Sequence, residues 1–352
     1  MFRTRSTVIS SCLYNVCFLL MFLACVSATA QNRGGAPDWV RDPYKKFDQQ
    51  LNVAAVGMGN SREAAEKDAL GKLVAIFGQS IRVDERISTS YQEAVRSGAV
   101  ASWSENTAID NSIVTSAGMD TLIGAEIGDT WDNGRDYYAA AVLNRTKALQ
   151  IYSNMIRSNQ AMIENLVNMP AADKNSLDGF ARYQFAAMIA DITVPYGNLL
   201  SSIGAPGLAL GVKNGDEYRL EAQNIARAIP VGVVAANDKS GRIQGAFAKA
   251  FSELGFRSGG NNARYVLQVD IAVSPVDLPN NPNKFARMEL SANLTDTSQR
   301  AVLLPYNFNN REGHTSLSEA ENRLFLAAER KINEEYSKLL NDYLTQLVPK
   351  KR

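Results

Sequence analysis

Few residues in this chain could act as metal ligands or as nucleophiles. The sequence contains one histidine, His314, and three cysteines, Cys12, Cys17 and Cys25, near the N-terminus. Zinc sites of the cysteine or histidine type need several such ligands, and a cysteine nucleophile needs a histidine base beside it. At most one cysteine remains after removal of the leader described below. Both kinds of site are therefore excluded, and we predict neither a metal nor a cofactor.

His314 and three aspartates are the remaining candidates for acid–base or metal chemistry. Histidine titrates near neutral pH, so His314 could serve as a general base. No Gly-x-Ser-x-Gly nucleophile motif accompanies it, and Asp238, Asp270 and Asp277 lack the spacing of a metal-binding loop. We interpret His314 as a loop residue ahead of a helix and the aspartates as turn and strand-surface residues. We accordingly predict that the chain is not an enzyme.

A Gly-x-Gly pair between an apolar run and a helical pattern is the one candidate for anion binding. Gly57, Gly59 and Asn60 could present backbone amides and a helix N-terminus to a phosphate, as in dinucleotide-binding loops. The third glycine of that fingerprint is replaced by Arg62, and no repeated strand–helix–strand pattern surrounds the pair. A structural tight turn is the favoured interpretation, and a weak anion site is the alternative.

The composition is that of an ordinary globular protein. Of 352 residues, 45% are apolar and 21% are charged, which excludes a disordered or collagen-like chain and disfavours a polytopic membrane protein. Thirty-seven basic residues oppose thirty-six acidic ones, for a net charge of +1. This balance provides no electrostatic footprint for a nucleic-acid backbone, so we predict no nucleic-acid partner.

The first thirty residues are typical of an export signal. Arg3 and Arg5 precede an almost wholly apolar run at 16–26, which is too short to span a membrane, and a small-x-small cleavage pattern ends at Ala30. A relaxed lipobox that ends in Cys25 overlaps this pattern, so lipidation at Cys25 is the alternative to cleavage after Ala30. Both routes predict an exported chain.

Residues 37–146 show the pattern of a small α+β domain, which follows a polar tether at 31–36. Asn133 and Gly134 lie between two apolar runs, and this dipeptide is a strong hairpin signal. The predicted order is a strand at 51–56, a turn at Gly57-Met58-Gly59, a helix from Asn60 to Gly78, a strand at 81–88, and hairpin strands at 121–131 and 136–143.

Residues 147–215 have a helical period instead. Apolar residues on one stripe up to Pro170, and again from Ser176, predict an antiparallel pair of helices. Pro195 is expected to kink or end the second helix. The glycine-rich segment 204–215 predicts a boundary between domains.

Residues 216–352 form the second predicted α+β domain. Its expected elements are a strand at 229–234, a helix at 243–254, strands at 265–273 and 287–294, and a helix at 316–347. The chain is therefore expected to be an α+β protein, with two small mixed sheet-and-helix domains joined by a helical hairpin and followed by a long C-terminal helix.

Two regions are candidate contacts for a partner protein. Trp103 lies between serines in a polar stretch and is expected to be exposed. The C-terminal helix would be about 45 Å long at 1.5 Å per residue, which exceeds a small sheet. Packing of its apolar stripe on the chain's own sheet is the favoured interpretation. Its last turns, with Leu340, Tyr343 and Leu347, are predicted to project beyond the sheet and bind a partner.

Four short segments resemble the LPP-twenty family of bacterial envelope lipoproteins in order and spacing. They are Pro37-Asp38-Trp39-Val40, Ala55-Val56-Gly57-Met58-Gly59, Ser61-Arg62-Glu63-Ala64-Ala65 and Tyr137-Tyr138-Ala139-Ala140-Ala141-Val142. The resemblance covers residues 37–146. It implies a strand, a Gly-x-Gly turn, an Ala-rich helix and a Trp-bearing hairpin. It also implies a module like one found in a periplasmic flagellar ring protein.

The segment from Val231 to Phe256 resembles the strand–turn–helix units of outer-membrane assembly and synthase-activator lipoproteins. These resemblances imply a binding module and no enzymatic activity. We expect a non-catalytic component of a periplasmic or outer-membrane complex of a bacterium, such as a flagellar one, whose partners are envelope proteins and, after lipidation, the membrane. The alternative is a small-ligand binder or hydrolase with a site between the domains, for which His314 and carboxylates would serve.

Overall fold

The computed structural model describes residues 35–78, 122–208 and 213–348. These residues form two compact units, each of which contains one sheet. The first unit comprises residues 35–73 and 125–143, and the second comprises 74–78, 122–124 and 144–348 within the described ranges. The predicted α+β class is confirmed. The predicted domain boundaries at 147 and 215 stay predictions.

The helices and strands are as follows. The helices are α1 (Arg62–Phe77), α2 (Arg145–Val167), α3 (Ala171–Lys174), α4 (Leu177–Ser202), α5 (Gly215–Ala228), α6 (Arg242–Glu253) and α7 (Leu317–Leu347). The strands are β1 (Asn52–Gly59), β2 (Ala125–Asp132), β3 (Tyr137–Asn144), β4 (Pro230–Ala236), β5 (Arg257–Gly259), β6 (Tyr265–Val276), β7 (Lys284–Asp296) and β8 (Ala301–His314). None of these helices is long and apolar enough to cross a membrane. The strand predicted at 81–88 lies outside the described residues.

The first unit is a three-stranded sheet in the order β1-β3-β2. As predicted, β2 and β3 form an antiparallel hairpin, and its turn contains Gly134 at a φ of +87°. The side chain of Asn133 closes the turn by accepting the N–H groups of Arg135 and Asp136. A left-handed backbone at this position favours glycine, which explains the Asn-Gly pair.

The N-terminal segment of the described chain packs on this hairpin. The ring of Phe47 lies against Gly128, where a Cβ atom would fall 2.8 Å from the ring. Lys46 forms an ion pair with Asp129, whose carboxylate also accepts a hydrogen bond from the buried Trp39. The Pro-x-Trp start therefore anchors this segment to β2.

The second unit is built on a five-stranded mixed sheet in the order β5-β4-β6-β7-β8. Strand β4 is parallel to β5 and β6, whereas β6, β7 and β8 form an antiparallel meander. Helices α6 and α7 pack on one face. Alternate residues of β7, from Ala286 to Asp296, are buried beneath them, and the residues between face outward. Sequence analysis missed β8, which is one of the two edge strands.

Helix α7 is buried along almost its whole length. Its buried residues recur at every fourth position: Ala320, Leu324, Ala328, Ile332, Tyr336, Leu340 and Leu344. The helix contacts α6, β7 and β8, and it also packs on α4. The prediction that its end projects was therefore wrong, because α4 supplies a packing partner that the sheet alone does not.

Helices α2 and α4 form the predicted antiparallel pair. Ser176 caps α4 by accepting the N–H of Gly179 at 3.0 Å. In the middle of the pair, the buried Asn159 Nδ2 donates to Thr193 Oγ1 at 2.9 Å. Pro195 was predicted to kink or end the second helix. The helix does not end at Pro195, since α4 continues to Ser202.

Four aromatic rings form the core between α6, α7 and β8. The rings of Phe247 and Tyr306 both meet Tyr336 edge to face, at centroid distances of 4.7 and 5.7 Å, and Phe251 lies 6.0 Å away. Burial raises the pKa of the Tyr306 phenol to about 12 and also raises the pKa of Tyr336. Among the described residues, neither hydroxyl group has a hydrogen-bond partner.

Removal of an unpartnered buried hydroxyl is expected to stabilise the second unit. An unsatisfied buried polar group costs about 1–3 kcal/mol, so Tyr336→Phe should raise the free energy of unfolding by about 1 kcal/mol. The matched control is Tyr152→Phe, since the hydroxyl of the buried Tyr152 is hydrogen-bonded to the backbone of Ile123. This control should lower the free energy by about 1 kcal/mol. Urea unfolding measures both, and equal losses in the two variants would contradict the assignment.

A buried carboxylate closes the end of β7. Asp296 accepts hydrogen bonds from Arg264 at 3.0–3.3 Å and from the N–H and Oγ of Ser298 at 2.9 and 2.6 Å. Burial alone would raise the pKa of Asp296, but the hydrogen bonds from Arg264 and Ser298 outweigh burial and lower it. The folded state therefore favours the ionised carboxylate.

This carboxylate predicts a loss of stability in acid. Because its pKa is lower in the folded than in the unfolded chain, its contribution is complete above about pH 4 and is lost as the pH falls below that. Asp296→Asn should lower the free energy of unfolding at pH 7 by about 2 kcal/mol. It should also flatten the dependence of stability on pH below about pH 4. Denaturation series from neutral to acid pH measure both effects, and an unchanged acid slope would refute the prediction.

Candidate functional site

Several predicted site residues lie outside the described residues or away from any cluster. Cys25 and Trp103 belong to the first group. His314 is the last residue of β8, and its Nδ1 lies 3.3 Å from Thr315 Oγ1. Asp238 accepts the N–H of Gln244 in α6. Over residues 35–78, 122–208 and 213–348, no three His, Cys, Asp or Glu side chains form a group that could hold a metal ion.

The two glycines of the Gly-x-Gly pair belong to β1 and not to a turn, so the tight-turn interpretation was wrong. A Cβ atom on Gly57 would lie 2.1 Å from Ala69 N and 2.4 Å from Ala65 O, because α1 packs directly on the strand. A Cβ atom on Gly59 would lie 2.6 Å from Ala64 Cβ. The glycines are therefore needed for the close approach of helix and strand.

The surroundings of this pair oppose anion binding. The N–H of Met58 donates to the Asp68 carboxylate at 2.9 Å. Hydrogen bonds from Lys72 and then from Met58 lower the pKa of Asp68. The N–H of Met58 is therefore already bound to a negatively charged carboxylate and is not free for an anion. Asn60 is exposed, and Ser61, not Asn60, caps the helix by accepting the N–H of Ala64.

The predicted contact residues at the end of α7 are only partly accessible. Leu340 is fully buried within the chain's own core, so the structure contradicts its prediction as a partner contact. Tyr343 and Leu347 are half-buried. Burial raises the pKa of the Tyr343 phenol to about 12, with smaller contributions from Tyr265 and Asp296. The C-terminal end of α7 therefore packs mainly against other parts of the same chain.

A groove between α2, α4 and α5 is the candidate binding site of the second unit. It encloses about 570 Å³, within the range of ligand pockets. Its lining combines apolar side chains with tyrosines and a charged rim: Gln160, Ile163, Glu164, Val167, Tyr183, Ala190, Thr193, Lys213, Glu217 and Tyr218. We call it the helix groove.

Helix α5 is held against α4 by a partly buried ion pair. Arg219 Nη1 and Nη2 bind the two carboxylate oxygens of Asp191 at 2.5 and 3.2 Å, and Nη2 also binds Asp216 Oδ1 at 2.7 Å. The hydrogen bonds that Arg219 donates to Asp191 are the main reason that the pKa of Arg219 is raised. At the start of α5, a Cβ atom on Gly215 would lie 2.0 Å from Asp191 Oδ1. Glycine at this position therefore permits the contact.

Lys174, the last residue of α3, connects α5 to α4. It forms an ion pair with Glu221, and its ammonium group lies 5.3 Å from the ring centroid of Tyr183. The hydrogen bond to Glu221 raises the pKa of Lys174, and the same bond lowers the pKa of Glu221. These contacts fix the Tyr183 ring at the groove wall.

The groove offers hydrogen-bond donors over an apolar floor. The hydroxyl of Thr193 is already used, since it donates to Ile189 O at 2.6 Å and accepts from Asn159. Burial raises the pKa of the Tyr218 phenol, while Lys213 opposes the rise. Tyr218 is therefore protonated at neutral pH and can donate a hydrogen bond. Such a combination is typical of a binding pocket.

Sequence analysis missed the helix groove because it missed α5. A signal for that helix was present, since Asn214 accepts the N–H of Asp216 as an N-cap, and Ala222, Ile225 and Ala226 are its buried face. The segment directly follows the glycine-rich stretch that was interpreted as a boundary. Nothing in the local sequence indicates that Tyr183 and Tyr218 share one groove.

No protein-family model matches the chain, and no curated protein sequence matches it. Among solved structures, the chain is similar to a secreted protein of Helicobacter pylori, with 14% identity and a TM-score of 0.41 over 81% of this chain and 98% of that one. It is also similar to a minor lipoprotein of Acinetobacter baumannii, with 11% identity and a TM-score of 0.23 over 33% of this chain and 92% of that one. Both neighbours are bacterial, one a secreted protein and the other a lipoprotein. TM-scores this low give no information on what this chain does.

The packing role of the glycine pair yields a direct test. Gly57→Ala should destabilise the first unit by about 3 kcal/mol, because its Cβ would overlap the α1 backbone. Gly71→Ala is the matched control, since a Cβ there meets no atom within 4 Å, and it should stabilise α1 by about 0.5–1 kcal/mol. Thermal unfolding measures both changes. A Gly57→Ala protein that keeps its stability but loses binding of inorganic phosphate would support the anion site instead.

Proposed function

We propose that this chain is a non-catalytic, exported component of the bacterial envelope that binds a partner protein in the helix groove. The observation that carries the proposal is the groove itself, whose wall places Tyr183 and Tyr218 over an apolar floor. Tyrosine is enriched at protein interfaces, because its ring supplies apolar area while its hydroxyl donates a hydrogen bond. Export rests on the leader sequence, with lipidation at Cys25 or cleavage after Ala30 as the two routes.

The occupant that fits the groove is an amphipathic helix of the partner. Three helices form the walls, and the volume of about 570 Å³ accommodates a few apolar side chains. The rim carries both charge signs, since Lys213 lies 3.6 Å from Glu217, and Glu164 stands nearby. A helix with three or four apolar residues on one face and mixed charge at its margins complements this surface.

We further propose that the chain belongs to a periplasmic assembly of the envelope. The resemblance of residues 37–146 to the LPP-twenty family supports an envelope module, and the similar module of a flagellar ring protein supports a periplasmic machine. In this proposal the first unit attaches the chain to the assembly, while the second unit holds the partner helix. The near-neutral charge of the chain agrees with a protein partner and not with nucleic acid.

Site-specific photo-cross-linking in cells tests where the partner binds. A photoreactive residue at position 218 should give one recurrent adduct with an envelope protein. The same residue at Gln223, an exposed position of α5 that does not line the groove, is the control and should not give this adduct. Adducts of equal strength at both positions would place the partner elsewhere.

Truncation of one groove tyrosine tests the energetics. Tyr218→Ala should weaken the complex with the cross-linked partner by about tenfold or more, because tyrosines in interface pockets contribute about 1–2 kcal/mol or above. The fold should persist, since Tyr218 is only half-buried. Calorimetric titration of the purified pair measures the effect, with Gln223→Ala as the neutral control. Unchanged affinity in Tyr218→Ala would overturn the proposal.

A further inference from the structure

Helix α2 has two stripes of residues at the spacing that a helix presents to a neighbouring helix. The inner stripe is buried and meets α4, and its members alternate by four and three positions: Ala148, Tyr152, Met155, Asn159, Met162 and Leu166. The outer stripe begins one position later and keeps the same spacing: Leu149, Ser153, Ile156, Gln160, Ile163 and Val167. One position corresponds to about 100° around a helix, so the outer stripe faces a second direction.

The outer stripe lines two depressions that share Gln160. The helix groove contains the C-terminal half of the stripe, from Gln160 to Val167. A second depression of about 570 Å³ contains the N-terminal half, and the described residues that line it all belong to α2: Thr146, Leu149, Gln150, Ser153, Ile156, Arg157 and Gln160. The helix groove therefore continues along α2. From Leu149 to Val167 the stripe is about 27 Å long at 1.5 Å per residue.

The outer stripe combines an apolar floor with a few polar positions. Ile156 and Ile163 are buried at the floor, whereas Leu149 and Val167 at the two ends are half-buried. Spacings of four and three positions over almost three heptads are typical of a surface that packs on another helix. Polar residues within such a stripe restrict the register in which a second helix can pack, and Ser153 and Gln160 occupy such positions.

Two charges of opposite sign flank the outer stripe. Arg157 and Glu164 are both exposed, and each directly follows an isoleucine of the stripe, so they lie on the same side of it. The Arg157 side chain is held by its own helix, since Nη2 donates to Asn154 Oδ1 at 2.7 Å and Nε donates to Ser153 O at 3.3 Å. Within the described part of the chain, neither charge forms an ion pair. Flanking positions of this kind pair with charges of a neighbouring helix and select it.

We propose that the partner segment in the helix groove is a helix of about five turns or more that lies along the whole outer stripe of α2. This inference rests on the proposed function and specifies its occupant. The bound helix carries apolar residues at alternating spacings of three and four. It also carries a carboxylate opposite Arg157 and a lysine or arginine opposite Glu164, seven positions apart. A short peptide confined to the helix groove would meet only Glu164, so charge complementarity favours the long helix.

Photo-cross-linking at the far half of the outer stripe tests the length of the bound helix. A photoreactive residue at Ser153 should give an adduct with the same envelope protein as the residue at position 218. Glu164 and Tyr218 share the helix groove, and Glu164 lies 11 positions from Ser153. Mass spectrometry should therefore find the two cross-linked positions of the partner about 11 residues apart. Ser158, an exposed serine of α2 that lines neither depression, is the matched control and should give no adduct.

The outcomes separate this inference from the proposed function. An adduct from position 218 without one from position 153 would mean that the bound segment is short, so the inference would fail while the proposed function stands. No adduct from either position would overturn both. An adduct from position 153 with the chain itself or with a second copy would show that another occupant covers the outer stripe, and it would overturn the inference.

Reversal of one flanking charge tests the charge pattern. Arg157→Glu should weaken the complex with the cross-linked partner about fivefold, and exchange of the partner's facing carboxylate for lysine should restore the affinity. Arg330→Glu makes the same change in net charge at an exposed position of α7 and is the control. Calorimetric titration measures the three affinities. Equal losses in the two variants, or no recovery with the exchanged partner, would contradict the predicted pairing.

Discussion

The second unit depends on the burial of α7. A helix with 3.6 residues per turn advances by about 400° over four residues, so a stripe at every fourth position turns by about 40° per step around the helix axis. From Ala320 to Leu344 this rotation moves the buried line well around the helix. One element can therefore pack on α6 and the sheet and also on α4. The stripe thus joins the sheet and the helical hairpin into one unit.

Much of this fold could be predicted from periodicity, and the exceptions have physical reasons. The strands β6 and β7 and the helices α6 and α7 were predicted to within a few residues, because their apolar patterns are long and regular. Strand β8 was missed although Leu304, Tyr306 and Phe308 alternate. Pro305 lies in the middle of that run, and proline argues against a central strand. It is compatible with β8 because β8 is an edge strand.

The candidate sites were harder to predict, since they depend on which elements meet. A Gly-x-Gly pair after a strand is compatible with a phosphate loop and with a packing seam. Ala65 and Ala69 on one face of α1 decide between the two, because small residues on the helix match glycine on the strand. The helix groove depends on the contact between Gly215 and Asp191, which are far apart in sequence. Local patterns contain no information about such a contact.

Two features of the second unit are unfavourable for folding: buried hydroxyl groups without a hydrogen-bond partner, and a cross-strand pair of arginines, Arg287 and Arg311. The unpartnered hydroxyl groups of Tyr306 and Tyr336 lie in the core, where no macromolecule can reach them. The paired arginines, by contrast, are exposed. The chain carries a net charge of only +1, so its overall field cannot draw it to an anionic surface. Exposed charges are screened beyond about 10 Å, so any such attraction must come from a local excess of charge. The exposed carboxylates of Asp270 and Glu289 lie on the same face of the sheet as Arg287 and Arg311, so this face carries no such excess.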